Sequence, residues 1–378
     1  NNQKIILIGT IASSFYNFRV DMIRTLLKQG YQVYAFTSEY TDSDLQKIES
    51  LGAIPITYEL NRGGLNPLSD IVATYKLSKK VQEIKPDLVF SYFSKPVIFG
   101  TIAAKLAKVP KIIGMLEGLG YTFTQQPEGL SRKTQLIKKV QILLYKFALP
   151  QLEKLIFLNP DDPEDLINYH AIKVKNIEVL GGIGLNLTSY QFSKAEFQPV
   201  KFLFIGRLLK EKGVFELIEA MRTVKSKYSN AHFTVLGAID HENLGALKQE
   251  TLHQLVQENL FEYPGYVVNV PDWITNTSIF VLPSYREGVP RSTQEAMAIG
   301  RPVITTDVPG CRDTVVDGVN GFLVPKWNAD ILAEKMCFFI ENPEQINIMG
   351  RESYKIACEK FDVHAVNKKL FEILGIDN

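Results

Sequence analysis

A chain of 378 residues is too long for one ordinary hydrophobic core and long enough for two domains. Hydrophobic residues at 46% and charged residues at 22% are those of a soluble globular protein, which excludes disorder, collagen-like repeats and solenoid arrays. A formal net charge of +1 announces no nucleic acid, so any basic function has to be local. The three cysteines, Cys311, Cys337 and Cys358, form no CxxC pair and no metal-ligand spacing, as expected of free thiols in a reducing, cytoplasmic compartment. The opening stretch reads as a first strand entering a glycine turn rather than a secretory signal, and no apolar run reaches the length of a membrane span. Glycosylation-type triplets at Asn186 and Asn276 are common by chance.

Short apolar runs alternate with amphipathic segments from end to end. In the first half the predicted strands are 5–8, 32–35, 54–57, 88–91, 111–115 and 154–158, with helices over 17–29 and 65–84 among the connections. Continuous β-branched runs joined by helical crossovers predict a parallel sheet covered on both faces. The pattern restarts near Lys201, with strands over 201–205, 232–236, 279–282, 302–305 and 321–324 and helices over 214–227, 246–259, 293–299 and 329–340. The expected organisation is therefore α/β, with two Rossmann-like doubly wound domains: 1–182, a glycine-rich linker 183–200, and 201–361. Residues 362–378 are expected to form a C-terminal helix that crosses back to the first domain. Ligands of such sheets bind outside the carboxyl ends of the strands.

The strand 201–205 ends in Gly206-Arg207-Leu208-Leu209-Lys210-Glu211-Lys212-Gly213 and then enters a helix. Gly206 admits a close approach to the backbone, Arg207 offers a planar fork of donors, and Lys212 adds a mobile charge, a set suited to a diphosphate. A solvated basic turn is the competing reading. A second loop, Pro283 to Glu295, follows the strand 279–282 and opens a helix. Its Gly288, Val289, Pro290 and Arg291 shape a helix N-terminus whose amides favour phosphate. Glu287 lies in the loop and has no obvious structural work. Glu295 stays open between ligand binding and capping, because Ser292-Thr293-Gln294-Glu295 spells a capping box.

Glu287 and Glu295 are separated by seven residues, the E-x7-E pattern of retaining glycosyltransferases of the GT-B fold. The surrounding Pro-Ser-Tyr-Arg-Glu-Gly-Val-Pro and Glu-Ala-Met-Ala-Ile-Gly-Arg-Pro-Val-Ile resemble family 4 of those enzymes, and Gly206-Arg207-Leu208…Lys212-Gly213 is similar to that family's diphosphate loop. The resemblance implies that Arg207 and Lys212 hold the donor diphosphate, Glu287 the donor sugar hydroxyls and Glu295 the ribose hydroxyls. It also implies a seat for the base along Gly265-Tyr266-Val267-Val268. Asp313, where the family often has a glutamate, is given no role.

In the first half the chain is similar to bacterial enzymes of this group that add N-acetylgalactosamine to an undecaprenyl-diphosphate-linked saccharide, through Phe15 to Arg19, Leu65-Asn66-Pro67 and Glu117-Gly118-Leu119-Gly120. Gly9 would let the donor approach the backbone, or merely turn the chain. Phe15, Tyr16, Arg19, Arg62, Glu117 and Gly118 are the candidate acceptor contacts, with Glu117 close to the transferred sugar; for Arg19 and Arg62 an exposed arginine is the default alternative. Residues 131–148 form a basic amphipathic helix, which reads either as a packed helix with solvated lysines or as a contact with the inner face of the cytoplasmic membrane.

The implied donor is a UDP-sugar, UDP-GalNAc in the first instance, with galactose, glucose or GlcNAc as alternatives. A soluble acceptor and a non-catalytic sugar-nucleotide-binding protein are the rival readings. No metal or other cofactor is expected. Asp42-Ser43-Asp44 has the DxD spelling of metal-dependent transferases but sits where a helix is capped.

Overall fold

The computed structural model describes residues 3–61 and 66–376. The chain divides into two compact units: Asn1–Thr122 with Ser131–Ile183 and His364–Asn378, and Phe123–Leu130 with Gly184–Val363. Arg62, a candidate acceptor contact, lies outside the described residues.

The first unit contains β1 (Lys4–Ile8), α1 (Ser13–Phe18), α2 (Val20–Lys28), β2 (Gln32–Thr37), α3 (Asp42–Leu51), β3 (Ile54–Thr57), α4 (Pro67–Ile84), β4 (Leu88–Tyr92), α5 (Thr101–Leu106), β5 (Lys111–Leu116), α6 (Arg132–Ala148), β6 (Lys154–Phe157), a single turn α7 (Asp161–Pro163) and β7 (Ile177–Val179). Its sheet runs β3-β2-β1-β4-β5-β6-β7 with parallel pairing. Both faces of β1 and β4 are covered, so an unbroken run such as Ile5–Ile8 can be buried throughout.

The second unit contains β8 (Lys201–Ile205), α8 (Val214–Lys227), β9 (His232–Leu236), α9 (Gln249–Gln257), β10 (Glu262–Gly265), α10 (Val270–Thr275), β11 (Ile279–Leu282), α11 (Arg291–Ile299), β12 (Val303–Thr306), β13 (Gly321–Val324), α12 (Ala329–Glu341) and α13 (Glu344–Lys360). Its order, β10-β9-β8-β11-β12-β13, is again parallel. The order reverses between β1 and β4 in one sheet and between β8 and β11 in the other. At each reversal the following loops diverge to opposite faces and leave a crevice at the strand ends.

Residues 184–200, read from sequence within the linker, are packed on the second unit. The Ala195 amide and carbonyl exchange hydrogen bonds with the Asn347 side chain, 2.8 and 3.0 Å. Leu185 and Asp362 form a parallel bridge, and Gly184, at φ +85°, leaves the space that Val363 occupies. The following helix α14 (Val363–Leu374) belongs, from His364 on, to the first unit. Its last carbonyls accept from lysines at the starts of two strands: Lys111 Nζ to Leu374 O at 2.6 Å and Lys154 Nζ to Ile373 O at 2.7 Å. Cations there complement the negative end of the helix dipole.

Arg301 is the largest wholly buried side chain. Its guanidinium donates to Thr277 O at 2.7 Å, Ser193 O at 2.6 Å, Thr275 O at 2.9 Å and Ser193 Oγ at 2.9 Å, tying the end of α10 to the incoming segment. Burial pushes its pKa down to about 10, so it remains charged at neutral pH. Arg301→Met is expected to destabilise the second unit by about 3 kcal/mol, because several buried carbonyls lose their donor at once. Arg301→Lys should restore little, since one ammonium cannot span the fork. Urea unfolding followed by fluorescence reports this unit directly, as the chain's 2 tryptophans, Trp273 and Trp327, both lie in it.

Candidate functional site

At the β8/β11 reversal, glycines let successive strand-end loops touch backbone to backbone. A Cβ at Gly213, φ +75°, would stand 2.0 Å from Pro283 O. One at Gly310, φ +81°, would stand 2.2 Å from Glu287 O, and one at Gly237 would stand 1.9 Å from Gly206 O. Those distances forbid any side chain, so the loops after β8, β9, β11 and β12 are locked together.

The lock brings two predicted residues into one cluster. Lys212 Nζ lies 2.5 Å from Glu287 Oε1, and the buried Ser284 hydroxyl donates to the same oxygen at 2.7 Å. The Glu287 amide donates to Pro309 O at 3.0 Å. Ser284 was missed in the sequence; its position three residues before Glu287 in a reversing loop was the available signal. Thr306, whose hydroxyl donates to Ser284 O, was missed as well. Beneath the cluster, burial pushes the Cys311 thiol up to about 12, with the Glu287 charge acting in the same direction, so it is a neutral packing group. Asp313 accepts from the Gly310 amide at 3.2 Å and shapes the turn.

Arg207 points outward, 60% exposed, with Nη1 3.4 Å from Asp240 Oδ2. A pair that loose and wet contributes little to stability and leaves the guanidinium able to swing. Gly206 precedes it, and the Gly206 amide donates to Leu236 O at 3.0 Å. Two residues of the proposed base seat are well exposed, Tyr266 at 76% and Val268 at 89%, whereas Val267 between them is half-buried.

Glu295 does not cap its helix. The N-cap of α11 is Pro290, which places Ser292 inside the first turn and Glu295 in the second, beyond the reach of the capping-box geometry. Instead Glu295 Oε1 accepts from Arg291 Nε at 3.1 Å, one turn back. Arg291 Nη1 also donates to Gly184 O at 3.3 Å. Gly288 lies in the loop before this helix, and Val289 is buried, its carbonyl accepting from Gln294 Nε2 at 3.2 Å. First-turn amides of α11, those of Ser292 and Thr293, lack intrahelical acceptors by construction.

In the first unit, Arg19 sits between α1 and α2 and is 4% exposed, not the solvated helix arginine that its type suggests. Its guanidinium carbon lies 3.5 Å from the Tyr92 ring centroid, and Nη2 bonds Glu117 Oε1. Glu117 follows β5, and Gly118, at φ +132°, supplies the turn after it. Gly9 is obligatory for packing: a Cβ there would stand 2.6 Å from the Tyr92 hydroxyl. Phe15, expected to touch an acceptor, is wholly buried and meets Tyr92 edge-on at 5.8 Å, so its part is to seat that ring. Tyr16 donates to Asp44 Oδ1 at 2.8 Å. Asp44 also closes a capping box with Thr41, which is the work of the DxD-like triplet. Among the described residues, no group of three or more His, Cys, Asp or Glu could hold a metal ion.

Helix α6 is capped by Ser131 and packs through Tyr145 and Ala148. Leu136, Leu143 and Phe147 face outward at 63%, 68% and 65% exposure, beside exposed Arg132, Lys133, Lys139 and Lys146.

Residues 189–356 match the family model of glycosyl transferases group 1, and residues 4–159 match that of glycosyl transferase 4-like. The N,N'-diacetylbacillosaminyl-diphospho-undecaprenol alpha-1,3-N-acetylgalactosaminyltransferase of Campylobacter jejuni is 30% identical over 354 residues, 90% of each chain. The capsular polysaccharide biosynthesis glycosyltransferase CapM of Staphylococcus aureus is 27% identical, over 98% of this chain and 96% of its own. Among solved structures, HepE of Anabaena in complex with UDP and glucose has a TM-score of 0.78 at 18% identity, over 99% of this chain and 100% of that one. Sucrose-phosphate synthase of Thermosynechococcus elongatus has a TM-score of 0.78 at 17% identity, over 98% of each chain.

Burial pushes the Glu295 carboxyl up to about 7 against the lowering influence of Arg291. Between the ordinary value of 4.5 and about 7, the native chain keeps a proton that the unfolded chain has released. The stability attached to that proton is complete below pH 4.5 and is lost as pH rises to about 7. Urea midpoints measured across this window are expected to fall with rising pH in the ligand-free protein, and Glu295→Gln is expected to remove that slope.

Proposed function

Because the chain belongs to the group 1 glycosyltransferases and has their GT-B fold, we propose that it transfers N-acetylgalactosamine, with retention, from UDP-GalNAc to an undecaprenyl-diphosphate-linked saccharide during surface polysaccharide or glycan assembly. The observation that carries the donor reading is the Lys212–Glu287–Ser284 cluster at the β8/β11 reversal, with Arg207 on the same loop as Lys212. The acceptor class rests on the relative in Campylobacter jejuni, whose name states it.

Lys212 and Arg207 are assigned to the diphosphate and Glu287 to the sugar hydroxyls. In the absence of donor, Lys212 and Glu287 neutralise each other; a bound diphosphate supplies the lysine with a second anion and leaves Glu287 to accept from a sugar hydroxyl. The first-turn amides of α11 add partial positive charge. Glu295 is assigned to the ribose hydroxyls. Its raised pKa suits a carboxyl that is stripped of water and then given hydroxyl donors by the ligand. On the acceptor side, Arg19, stacked on the Tyr92 face, pairs with Glu117 and fixes its position.

In the reaction the bond between the anomeric carbon and the diphosphate oxygen breaks, and the acceptor hydroxyl oxygen bonds that carbon on the same face. The acceptor proton passes to the departing diphosphate. Arg207 and Lys212 stabilise the charge that develops on the leaving group, and no metal is required for that step. The alpha linkage in the relative's name supports retention, since UDP-hexosamine donors are themselves alpha-linked. The enzyme is assigned to the inner face of the cytoplasmic membrane, held there by α6, whose outward leucines and phenylalanine are flanked by basic residues. Among the described residues, no helix is long and apolar enough to cross a membrane.

UDP-sugars are expected to protect the chain against thermal unfolding, UDP-GalNAc most strongly, and no stabilisation by any UDP-sugar would overturn the reading. Lys212→Ala is expected to lower kcat by about a hundredfold or more, the scale of one lost transition-state donor, with the fold intact by circular dichroism. Turnover should survive excess EDTA.

A further inference from the structure

The chain leaves the first unit after Thr122 and returns to it at Ser131, and the segment between, Phe123–Leu130, belongs to the second unit. Phe123 and Thr124 are buried and anchor it, whereas Gln125, Pro127, Glu128 and Gly129 are exposed. Gly129, at φ +78°, turns the segment back, its amide donating to Gln126 O at 3.0 Å. Glu128 is its one charged residue. None of the candidate donor contacts lies in this segment.

Two of its side chains grip two different strand-end loops. Glu128 pairs with Lys210, after β8, and Gln125 accepts from Lys326, after β13. Lys210–Lys212 is a single 3-10 turn in which each residue has a different hold. Lys210 has Glu128, the Glu211 carbonyl accepts from the Tyr285 amide at 2.8 Å, and Lys212 has Glu287 at 2.5 Å. The Tyr285 hydroxyl donates to Glu216 Oε1 at 2.5 Å, and its ring meets that of Trp327 edge-on, 6.0 Å between centroids. Lys326 Nζ lies 4.5 Å from the Trp327 centroid. The contacts close a circuit that leaves the segment at Glu128, crosses the loops after β8 and β11, and returns to it at Gln125. Lys212 is the next residue after Glu211, and Glu287 lies two beyond Tyr285, so the circuit sets the backbone on both sides of the Lys212–Glu287 pair. The bond from Lys210 holds the Glu128 carboxyl below its ordinary pKa, so both groups are charged at neutral pH. Glu128 is 61% exposed and Lys210 29%, and a pair so open to water contributes little to stability. Its effect is to bias where the two loops rest.

We propose that residues 123–130 are a clasp on the donor loops, in which Glu128 is a positioning residue: through Lys210 it fixes the 210–212 turn and so sets Lys212 for the departing diphosphate. The proposal rests on the transferase reading above, which assigns Lys212 to that diphosphate, and adds what holds the lysine in place.

Steady-state kinetics on the full chain, with UDP-GalNAc and an undecaprenol-linked N-acetylhexosamine diphosphate, test it. Glu128→Gln is expected to lower kcat about fivefold, the equivalent of about 1 kcal/mol and the scale of one exposed pair. Glu128→Lys, which sets two cations against each other, lowers it further. Lys210→Met matches Glu128→Gln, and the double variant is no slower than either, because all three lose the same contact. KM for UDP-GalNAc stays within about twofold, since the charge that Lys212 meets develops only as the diphosphate leaves. Thermal unfolding is unmoved, which a segment needed only for the fold would not allow. Gln125→Ala, at the other end of the clasp, lowers kcat in the same pattern and serves as the second variant should Glu128→Lys fold poorly. A kcat indifferent to the charge at position 128, or additive losses in the double variant, would overturn the proposal. So would a rise in donor KM confined to Lys210→Met, which would make that lysine a diphosphate ligand in its own right. A wild type that neither binds nor turns over any UDP-sugar would overturn the transferase reading, and the clasp's role with it.

Discussion

Everything at the β8/β11 reversal hangs on backbone contact between loops that start on different strands. Gly237 against Gly206, Gly213 against Pro283 and Gly310 against Glu287 leave no room for a single carbon. Main chain packed on main chain has almost no rotamer freedom, so the loops inherit the rigidity of the sheet. Lys212 then meets Glu287, which Ser284 of the same loop also holds, at hydrogen-bonding distance although 75 positions of chain separate them. Such a scaffold keeps polar groups oriented before a ligand arrives, which is the condition for electrostatic stabilisation of a leaving anion.

The same economy recurs in the charges. Lys212 has Glu287, Arg291 has Glu295 and Arg19 has Glu117. Each cation that a phosphate-binding site would need is held by a carboxylate that can also accept from a sugar hydroxyl. Pairing offsets part of the desolvation of both charges, and it places an anion-binding and a hydroxyl-binding group side by side. Arg207 is the exception. Its loose contact with Asp240 and its exposure give it the reach to follow a ligand rather than await it.

Strand positions were legible wherever a β-branched run was buried on both faces, as in 201–205 and 279–282, because burial there leaves composition little choice. Of the four edge strands, β3 and β13 were legible and β7 and β10 were not. The three-residue β7 and the polar, proline-containing β10 carry too few apolar residues to signal a strand, and they form because a neighbouring strand already presents its edge. The helix predicted over 17–29 begins earlier, at Ser13, and is interrupted at Arg19, whose backbone at φ −122° and ψ +12° leaves the helical region. Capping at Glu295 was an even alternative in the sequence; it failed by two residues, because Pro290 is the N-cap where the box requires Ser292.

The sequence by itself determined the two doubly wound halves, the Arg207–Lys212 loop and the Glu287–Glu295 spacing, since these follow from local periodicity and from residues near one another in the chain. Tertiary structure alone decided which of those groups meet. Whether Arg19 is solvated or buried depends on Tyr92 and Glu117, 73 and 98 positions away along the chain, and whether Phe15 faces a ligand depends on the same ring. Likewise Ser284 and Thr306 acquire a role only where two strand ends lie side by side. Burial and ion pairing are sums over neighbours, and neighbours distant in sequence are chosen by packing.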